Sequence, residues 1–149
     1  GAGGELATMC DIRIASEAAL FAESFVKLGL IPGDGGAWFL PRAVGVSNAN
    51  YMSFTGESIK ADTALQMGLV SEVLAPEKLM ARAMEIAQLI AKNPPHAVRL
   101  AKQLIKGSEK STLDETLDKS ASFQAVCHAE HYHQEAIAAI FEKIKMTKL

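Results

Sequence analysis

The stretch GAGGELATMCDIRIAS, residues 1–16, decides the fold class. Three of its first four residues are glycine, and they run directly into a helix-forming segment that we expect to span residues 2–10. The following IRIAS (12–16) is typical of a short strand. A glycine-rich approach to a helix lets backbone N–H groups come close to a charged or polarised ligand atom. The stretch therefore indicates an α/β fold with a candidate ligand site at the start of its first helix.

The next segments continue this α/β pattern. ALFAE (19–23) predicts a second strand, which follows a turn at Glu17 and Ala18. LGLIPGDGG (28–36) predicts a loop, because Pro32 and the glycines around it fit no regular element without cost.

A longer helix is expected from about Trp38 to Phe54. Gly45 is a weak point inside it, and Gly56 is its stop signal. A shorter helix (60–67) and a further strand (69–74) are expected to complete this part of the chain.

After Pro76 the sequence becomes almost wholly helical. Apolar residues recur at helical spacing over residues 79–90 and again over 97–105. The prolines of NPP (93–95) separate these two helices, since proline ends one helix and suits the first turn of the next.

Two more helices follow in this region. One is expected from Thr112 to about Cys127, with a cap at Ser111 or Thr112, and apolar residues over 136–144 mark the other. We therefore divide the chain into a partial α/β core, residues 1–75, and a helical C-terminal region, residues 76–149.

The composition is that of an ordinary globular protein. Of the 149 residues 49% are hydrophobic and 21% are charged, and the net charge is -2. Acidic residues outnumber basic ones, which argues against a nucleic-acid partner, and no apolar run approaches the ~20 residues of a membrane span. Cys10 and Cys127 lie far apart in a sequence without a recognisable export signal, so we expect reduced thiols and a location inside the cytoplasm or an organelle, of which we take the cytoplasmic one as the prediction.

The glycine-rich opening is the sharpest candidate for chemistry. A glycine loop that enters a helix presents N–H groups and the positive end of the helix dipole, which stabilise a developing oxyanion. Glu5 lies on the first turn, where its carboxylate could move a proton. The alternative is a flexible terminal segment in which Glu5 is only a favourable first-turn charge.

Two other patterns have weaker functional interpretations. The glycines around Asp34 form either a close approach for a ligand or a plain surface turn with a solvated Asp34, and they match neither common phosphate-loop pattern. The histidine-rich segment from Cys127 to His133 matches no usual zinc spacing, so a partly solvated helix junction is favoured over a metal site.

Three motifs together resemble the crotonase family, that is, the enoyl-CoA hydratase/isomerase family. They are GAGGELATMCDIRIAS (1–16), FAESFVKLGLIPGDGGAWFLPRAVG (21–45) and TGESIKADTALQMGLVSEVL (55–74), and the resemblance covers nearly all of residues 1–145. It implies the C-terminal part of a crotonase-like β-β-α spiral, followed by a helical oligomerisation region that builds homotrimers or hexamers. It also implies acyl-CoA thioester substrates, an enolate held between two backbone N–H groups, and no cofactor or metal.

The resemblance gives individual residues expected roles. The N–H of Ala2 matches one oxyanion donor, and Glu5 matches the first of two acids that transfer protons in the hydratases. The second acid falls at Phe25, which cannot transfer a proton. Glu23 lies two residues earlier, where a continuing strand would place it on the same face as Phe25.

Further expected contacts to the substrate lie elsewhere in the chain. Some isomerases of the family carry an acid at the position of Gly33, and this chain has Asp34 one residue later. AIFEKIK (139–145) is similar to the closing helix of the family, in which a lysine that matches Lys143 touches coenzyme A.

The family resemblance supports two hypotheses of different classes. The first is an acyl-CoA enzyme that uses Ala2 and Glu5. The second is a non-catalytic oligomerisation or CoA-binding module, because the other oxyanion donor lies upstream in a typical member and this sequence is expected to be a C-terminal portion.

Overall fold

The computed structural model describes residues 1–147, which form seven α-helices and four short β-strands. Two 3-10 helices, Ser24–Leu28 and Pro76–Lys78, join some of them. In chain order the elements are α1 (Ala2–Met9), β1 (Ile14–Ser16), β2 (Leu20–Ala22), α2 (Gly36–Thr55), β3 (Ser58–Lys60), α3 (Ala61–Gln66), β4 (Glu72–Leu74), α4 (Leu79–Ala91), α5 (Pro95–Ser108), α6 (Leu113–Ala129) and α7 (His131–Thr147).

The chain divides into two compact units. The first is Gly1–Glu85 and the second begins at Ile86. The first unit contains all four described strands and the residues of the glycine-rich opening, so it holds the candidate site. The division at residues 75 and 76 that the sequence predicts stays a prediction.

Two separate strand pairs organise the first unit. β1 pairs in parallel with β4, with Ala15 opposite Val73, and β2 pairs antiparallel with β3, with Phe21 opposite Ile59. Each pair joins segments that are distant in the sequence. The pairing thereby fixes where α1 and β2 lie, and these two elements border the candidate site.

Helix α2 supplies much of the core of this unit. Leu40 and Val44 precede a break at Gly45, which has φ 78° and ψ 158°, and Ala49 and Met52 follow it. Glycine adopts this positive φ without the steric cost that a Cβ would add. All four apolar residues are buried, so the predicted weak point at Gly45 and the stop at Gly56 are confirmed.

The second unit is built from helices alone among the described residues. α5 packs on α6, and α6 packs on α7. Thr112 begins α6 with a capping box, in which its Oγ1 accepts from the Glu115 N–H at 3.2 Å and Glu115 Oε2 accepts from the Thr112 N–H at 2.8 Å. Within residues 1–147 no helix has the length and apolar character needed to cross a membrane.

The second predicted strand is shorter than its sequence pattern indicates. β2 ends at Ala22, and the next residues form the 3-10 helix Ser24–Leu28. β2 can pair no further because its partner β3 provides only residues 58–60. The expectation that Glu23 and Phe25 share one face of a strand is therefore wrong.

Candidate active site

The first turn of α1 presents backbone donors to an open groove. Ala2 and Gly3 begin the helix, so their N–H groups have no intrahelical acceptor. The Gly1 carbonyl accepts from the N–H of Gly4 at 2.8 Å and from that of Glu5 at 3.2 Å. The groove has a volume of about 520 Å³, within the range of small-molecule sites. Its lining consists of Gly1, Ala2, Gly3, Gly4, Ala7, Leu20, Phe21, Ala22 and Ser24.

Glu5 belongs to this first turn, and its side chain is completely buried. Its exposed fraction is 0%, and neither carboxyl oxygen has a hydrogen-bond partner among the described residues. Gly36, at the start of α2, makes room for it, because a Cβ built on Gly36 would lie 2.7 Å from the Glu5 Cδ. The structure thus has a buried, unpartnered carboxyl group on the same helix turn whose Ala2 and Gly3 N–H groups are free.

A second buried carboxyl group, that of Glu23, lies near the same turn. Glu23 is 3% exposed, and its Oε2 has no hydrogen-bond partner among the described residues. Burial raises the pKa of Glu23 above its ordinary value; the charge of the Gly1 ammonium opposes this, and that of Glu5 adds to it. The sequence predicts Glu23 as a site residue, and the structure brings it to Gly4 of the glycine turn.

Arg13 ties the end of α1 to the segment that precedes β4. Its guanidinium donates from Nε to the Leu69 carbonyl at 2.7 Å and from Nη1 to the Cys10 carbonyl at 2.6 Å. Arg13 and Glu23 both line a small cavity of about 10 Å³, room for about one water molecule. Arg13 therefore holds the end of α1 against the segment that precedes β4.

The remaining predicted site residues do not line the groove. Phe25 is half-buried in the 3-10 helix Ser24–Leu28, and its carbonyl accepts from the Leu30 N–H at 3.0 Å. Gly33 and Asp34 are exposed in the turn that leads to α2. Lys143 is exposed on α7, in the second unit.

The histidine-rich segment lies where α6 ends and α7 begins, at a partly exposed helix junction. His128 Nδ1 and His133 Nε2 are 3.0 Å apart, and Glu130 pairs with His96 of α5. Within the described part of the chain, no three His, Cys, Asp or Glu side chains converge as a metal ion would require.

The sequence patterns do not predict which residues form the wall of the groove opposite α1. Leu20, Ala22 and Ser24 form it together with Phe21, and it exists because β2 pairs with β3. No local signal identifies such a wall, since the pairing partner is remote in sequence. The closeness of Gly36 to Glu5 has no local signal either, because it depends on how α1 packs against α2.

Comparisons with known proteins agree with this arrangement. The family model described as Enoyl-CoA hydratase/isomerase matches residues 1–147. The chain is 42% identical over 146 residues to a short-chain-enoyl-CoA hydratase of Clostridium acetobutylicum, a match that covers 98% of this chain and 56% of that protein. It is 36% identical over 143 residues to a 1,2-epoxyphenylacetyl-CoA isomerase of Escherichia coli, covering 96% of this chain and 55% of the isomerase.

A solved structure shows the same fold. The enoyl-CoA hydratase of Bacillus anthracis matches with a TM-score of 0.92 at 38% identity, over 95% of this chain and 55% of that one. The chain thus spans little more than half the length of these relatives. The mostly helical α/β architecture is therefore that of the crotonase fold, and the chain belongs to the enoyl-CoA hydratase/isomerase family.

Proposed function

We propose that this protein contributes the catalytic carboxylate and one oxyanion donor to an enzyme that hydrates or isomerises enoyl-CoA thioesters. The observation that carries this proposal is the completely buried, unpartnered carboxyl group of Glu5 on the helix turn that begins with the free N–H groups of Ala2 and Gly3. The relatives named as enoyl-CoA hydratases and as an acyl-CoA isomerase support the substrate class.

The proposed chemistry begins with the thioester carbonyl. The N–H of Ala2 donates to the carbonyl oxygen, and the positive end of the α1 dipole adds to the stabilisation of negative charge there. Polarisation of the carbonyl acidifies the α-carbon of a 3-enoyl thioester; Glu5 takes a proton from that carbon to leave the enolate, and then returns the proton to the γ-carbon as the double bond migrates. The thioester is activated by these backbone groups, and we propose no cofactor and no metal.

The identity of Phe25 favours double-bond migration over hydration. Water addition needs one group to activate water and another to protonate the α-carbon, whereas migration needs only the transfer of one proton from the α-carbon to the γ-carbon. Phe25 occupies the position at which the resemblance places the second acid, and phenylalanine cannot serve. We propose Gly33, Asp34 and Lys143 as residues that touch the acyl or CoA portion of the substrate.

The assembly is proposed from the same resemblance. The first unit forms the C-terminal part of the β-β-α spiral, and the helices that follow form a homotrimer, or a hexamer of two trimers. The cytoplasmic location stays a prediction. The hypothesis of a non-catalytic oligomerisation or CoA-binding module is not favoured, because the relatives are named as enzymes.

The test uses a chimera in which this chain replaces the matched 146 residues of the Clostridium acetobutylicum hydratase. Hydration of crotonyl-CoA is followed by absorbance, and conversion of a 3-enoyl-CoA by its products. Glu5→Gln keeps the shape and removes the base, so we expect a fall of about 10²–10⁴ in rate. Phe25→Glu should raise hydration relative to isomerisation.

The assay has one control and one outcome that would contradict the proposal. The 149 residues assayed by themselves are expected to turn over below ~1 s⁻¹, the low end of usual enzyme rates, because one oxyanion donor is worth ~10²–10³. An active chimera whose rate is unchanged by Glu5→Gln would remove Glu5 from the mechanism.

A further inference from the structure

We propose that the first turn of α2 is the positioning element for Glu5, and that its free N–H groups stabilise the negative charge of the buried carboxyl group. The proposal rests on the proposed function for the role of Glu5 as base. It adds a second helix start to the site, besides the start of α1. Gly36 and Ala37 supply the N–H groups, and they are positioning residues because they act through Glu5.

Helix α2 begins without a side-chain cap. Its N-cap residue is Gly35, whose carbonyl accepts from the N–H of Trp38 at 2.9 Å and from that of Phe39 at 3.0 Å. The N–H groups of Gly36 and Ala37 have no intrahelical acceptor, because they belong to the first turn. Among the described residues no other group accepts from them. The positive end of the α2 dipole therefore lies at these two groups.

The Glu5 carboxyl group lies against this helix start. A Cβ built on Gly36 would lie 2.7 Å from the Glu5 Cδ and closer still to its Oε1. A carbon–carbon bond is about 1.5 Å long, so the carboxyl group is in contact with the Gly36 backbone itself. Glu5 is 0% exposed, and neither of its oxygens has a hydrogen-bond partner among the described residues. A buried carboxyl group without donors thus meets a helix start with unused donors.

Two glycines allow this approach. Gly35 has φ 100°, and a Cβ on it would lie 3.2 Å from the Phe39 ring and 3.4 Å from the Met9 Cε of α1. The positive φ and the crowding both favour glycine at this position. At Gly36 the Glu5 carboxyl group occupies the space of a side chain. The start of α2 therefore accommodates the carboxyl group in place of side chains of its own.

A buried base needs compensation of this kind. An isolated buried carboxylate is costly enough that proteins usually keep such a group neutral. A neutral carboxylic acid cannot take a proton from a substrate, so the site must favour the negative charge. Glu5 also lies in the first turn of α1, where the helix dipole has the same sign. Two helix starts therefore favour the ionised form that the proposed chemistry requires.

The charged side chains of the surrounding elements are engaged elsewhere or exposed. Arg42, the charged residue of α2, lies over an aromatic ring, 3.3 Å from its centroid, and Lys27 of the neighbouring 3-10 helix is exposed. Arg13 donates to two backbone carbonyls. Glu23, the other buried carboxyl group of the site, has the same sign as Glu5 when it is ionised. The observed surroundings thus leave the backbone of the two helix starts to compensate the charge of Glu5.

The first test is NMR spectroscopy of the 149-residue chain labelled with ¹⁵N and ¹³C. Glu5→Gln keeps the shape and removes the negative charge, so the amide-proton resonances of Gly36 and Ala37 should move upfield. The matched control Glu17→Gln removes an exposed carboxylate and should leave both resonances in place. Resonances of Gly36 and Ala37 that are unmoved by Glu5→Gln would overturn the proposal.

The reverse arm removes a donor instead of the charge. Ala37→Pro deletes one N–H, and proline fits because the position lies in the first turn and the preceding Gly36 has no Cβ to clash with the ring. The ¹³C resonance of the Glu5 carboxyl carbon should move in Ala37→Pro. It should stay in place in Ala37→Ser, which keeps the N–H. Equal Glu5 resonances in the two variants would contradict the proposal, and this arm decides if Glu5→Gln does not fold.

The chimera gives a readout that a merely structural role would not change. In Ala37→Pro the acid limb of the pH–rate profile for isomerisation should move to higher pH by about one unit, because Glu5 loses part of what favours its carboxylate form. Ala37→Ser should keep the profile of the parent chimera. An acid limb at the same pH in both variants would overturn the positioning role. An inactive chimera would count against the acyl-CoA chemistry alone, because the NMR arms use no substrate and test the contact between α2 and Glu5.

Discussion

The position of Glu5 depends on a residue that has no side chain. Gly36 begins α2, and the space that its Cβ would fill holds the Glu5 carboxyl group. The two residues are remote in sequence and meet because α1 packs on α2. A side chain at position 36 would therefore force the Glu5 carboxyl group out of its observed position.

Replacement of Gly36 by alanine should therefore destabilise the fold. The added methyl group has no room, and overpacking of this kind costs about 1–3 kcal/mol. Gly3→Ala is the matched control, because nothing lies within 4 Å of its added Cβ and alanine is the better helix former by ~1 kcal/mol. Urea unfolding should show a loss of stability for Gly36→Ala and none for Gly3→Ala. Equal stabilities for the two variants would contradict the packing described here.

Single residues also show how much of the candidate site can be predicted from the sequence. Glu5 and Ala2 could be proposed from the sequence because a glycine-rich helix start has a local signature, and the structure places both at one turn. The strand on which the sequence pattern places Glu23 ends before it, yet Glu23 lies beside Gly4 because the chain turns after Ala22. The role of Gly36 has no local signature, since the crowding comes from tertiary packing.

At the scale of elements, the breaks and ends of helices are easier to predict from the sequence than the pairing of strands. The break at Gly45, the stop at Gly56 and the cap at Thr112 follow from local backbone chemistry, and the structure confirms each. The sequence pattern does not predict β3 and predicts a longer β2 than the structure has, because the ends of a strand depend on a partner that is distant in the sequence. Local sequence patterns are therefore enough to predict the helices, whereas the bounds of the strands depend on long-range pairing.

One ion pair links two elements of the first unit, β4 and α4. Arg82 donates to Glu72 through two bonds, at 2.7 and 2.8 Å, and to Glu85 at 2.7 Å. The hydrogen bond from Arg82 holds the pKa of Glu72 below its usual value, although burial opposes the shift. A carboxyl group with a lowered pKa in the folded state stabilises the fold above its unfolded pKa, and this contribution is lost as the pH falls through the folded pKa.

The expected consequence is a smaller acid sensitivity in Glu72→Gln. Wild type should lose more stability than this variant as the pH falls from neutral into the acid range, measured by urea unfolding at a series of pH values. Glu77→Gln is the control, because Glu77 is exposed and lies close in sequence. Parallel pH profiles for all three proteins would mean that the ion pair adds nothing to stability.

For the whole molecule, the helical part leaves much apolar surface uncovered. None of the residues of α4, α5 and α6 is buried within this chain. On α7 the side chain of Ile140 is 56% exposed and that of Phe141 is 59% exposed. Exposed apolar surface of this extent is typical of an interface between subunits. Amphipathic periodicity predicted the helices, but periodicity alone does not say what covers them.

The final prediction is that the chain associates with itself through these helices. Light scattering should give a trimer or a larger species, since burial of apolar side chains between subunits offsets their exposure in the single chain. Phe141→Glu should lower the measured mass, because a charge in such an interface loses its hydration without a partner. Gln134→Glu adds the same charge at another exposed position of α7 and should leave the mass unchanged. A clean 15.9 kDa species for the wild-type chain would contradict the proposed assembly.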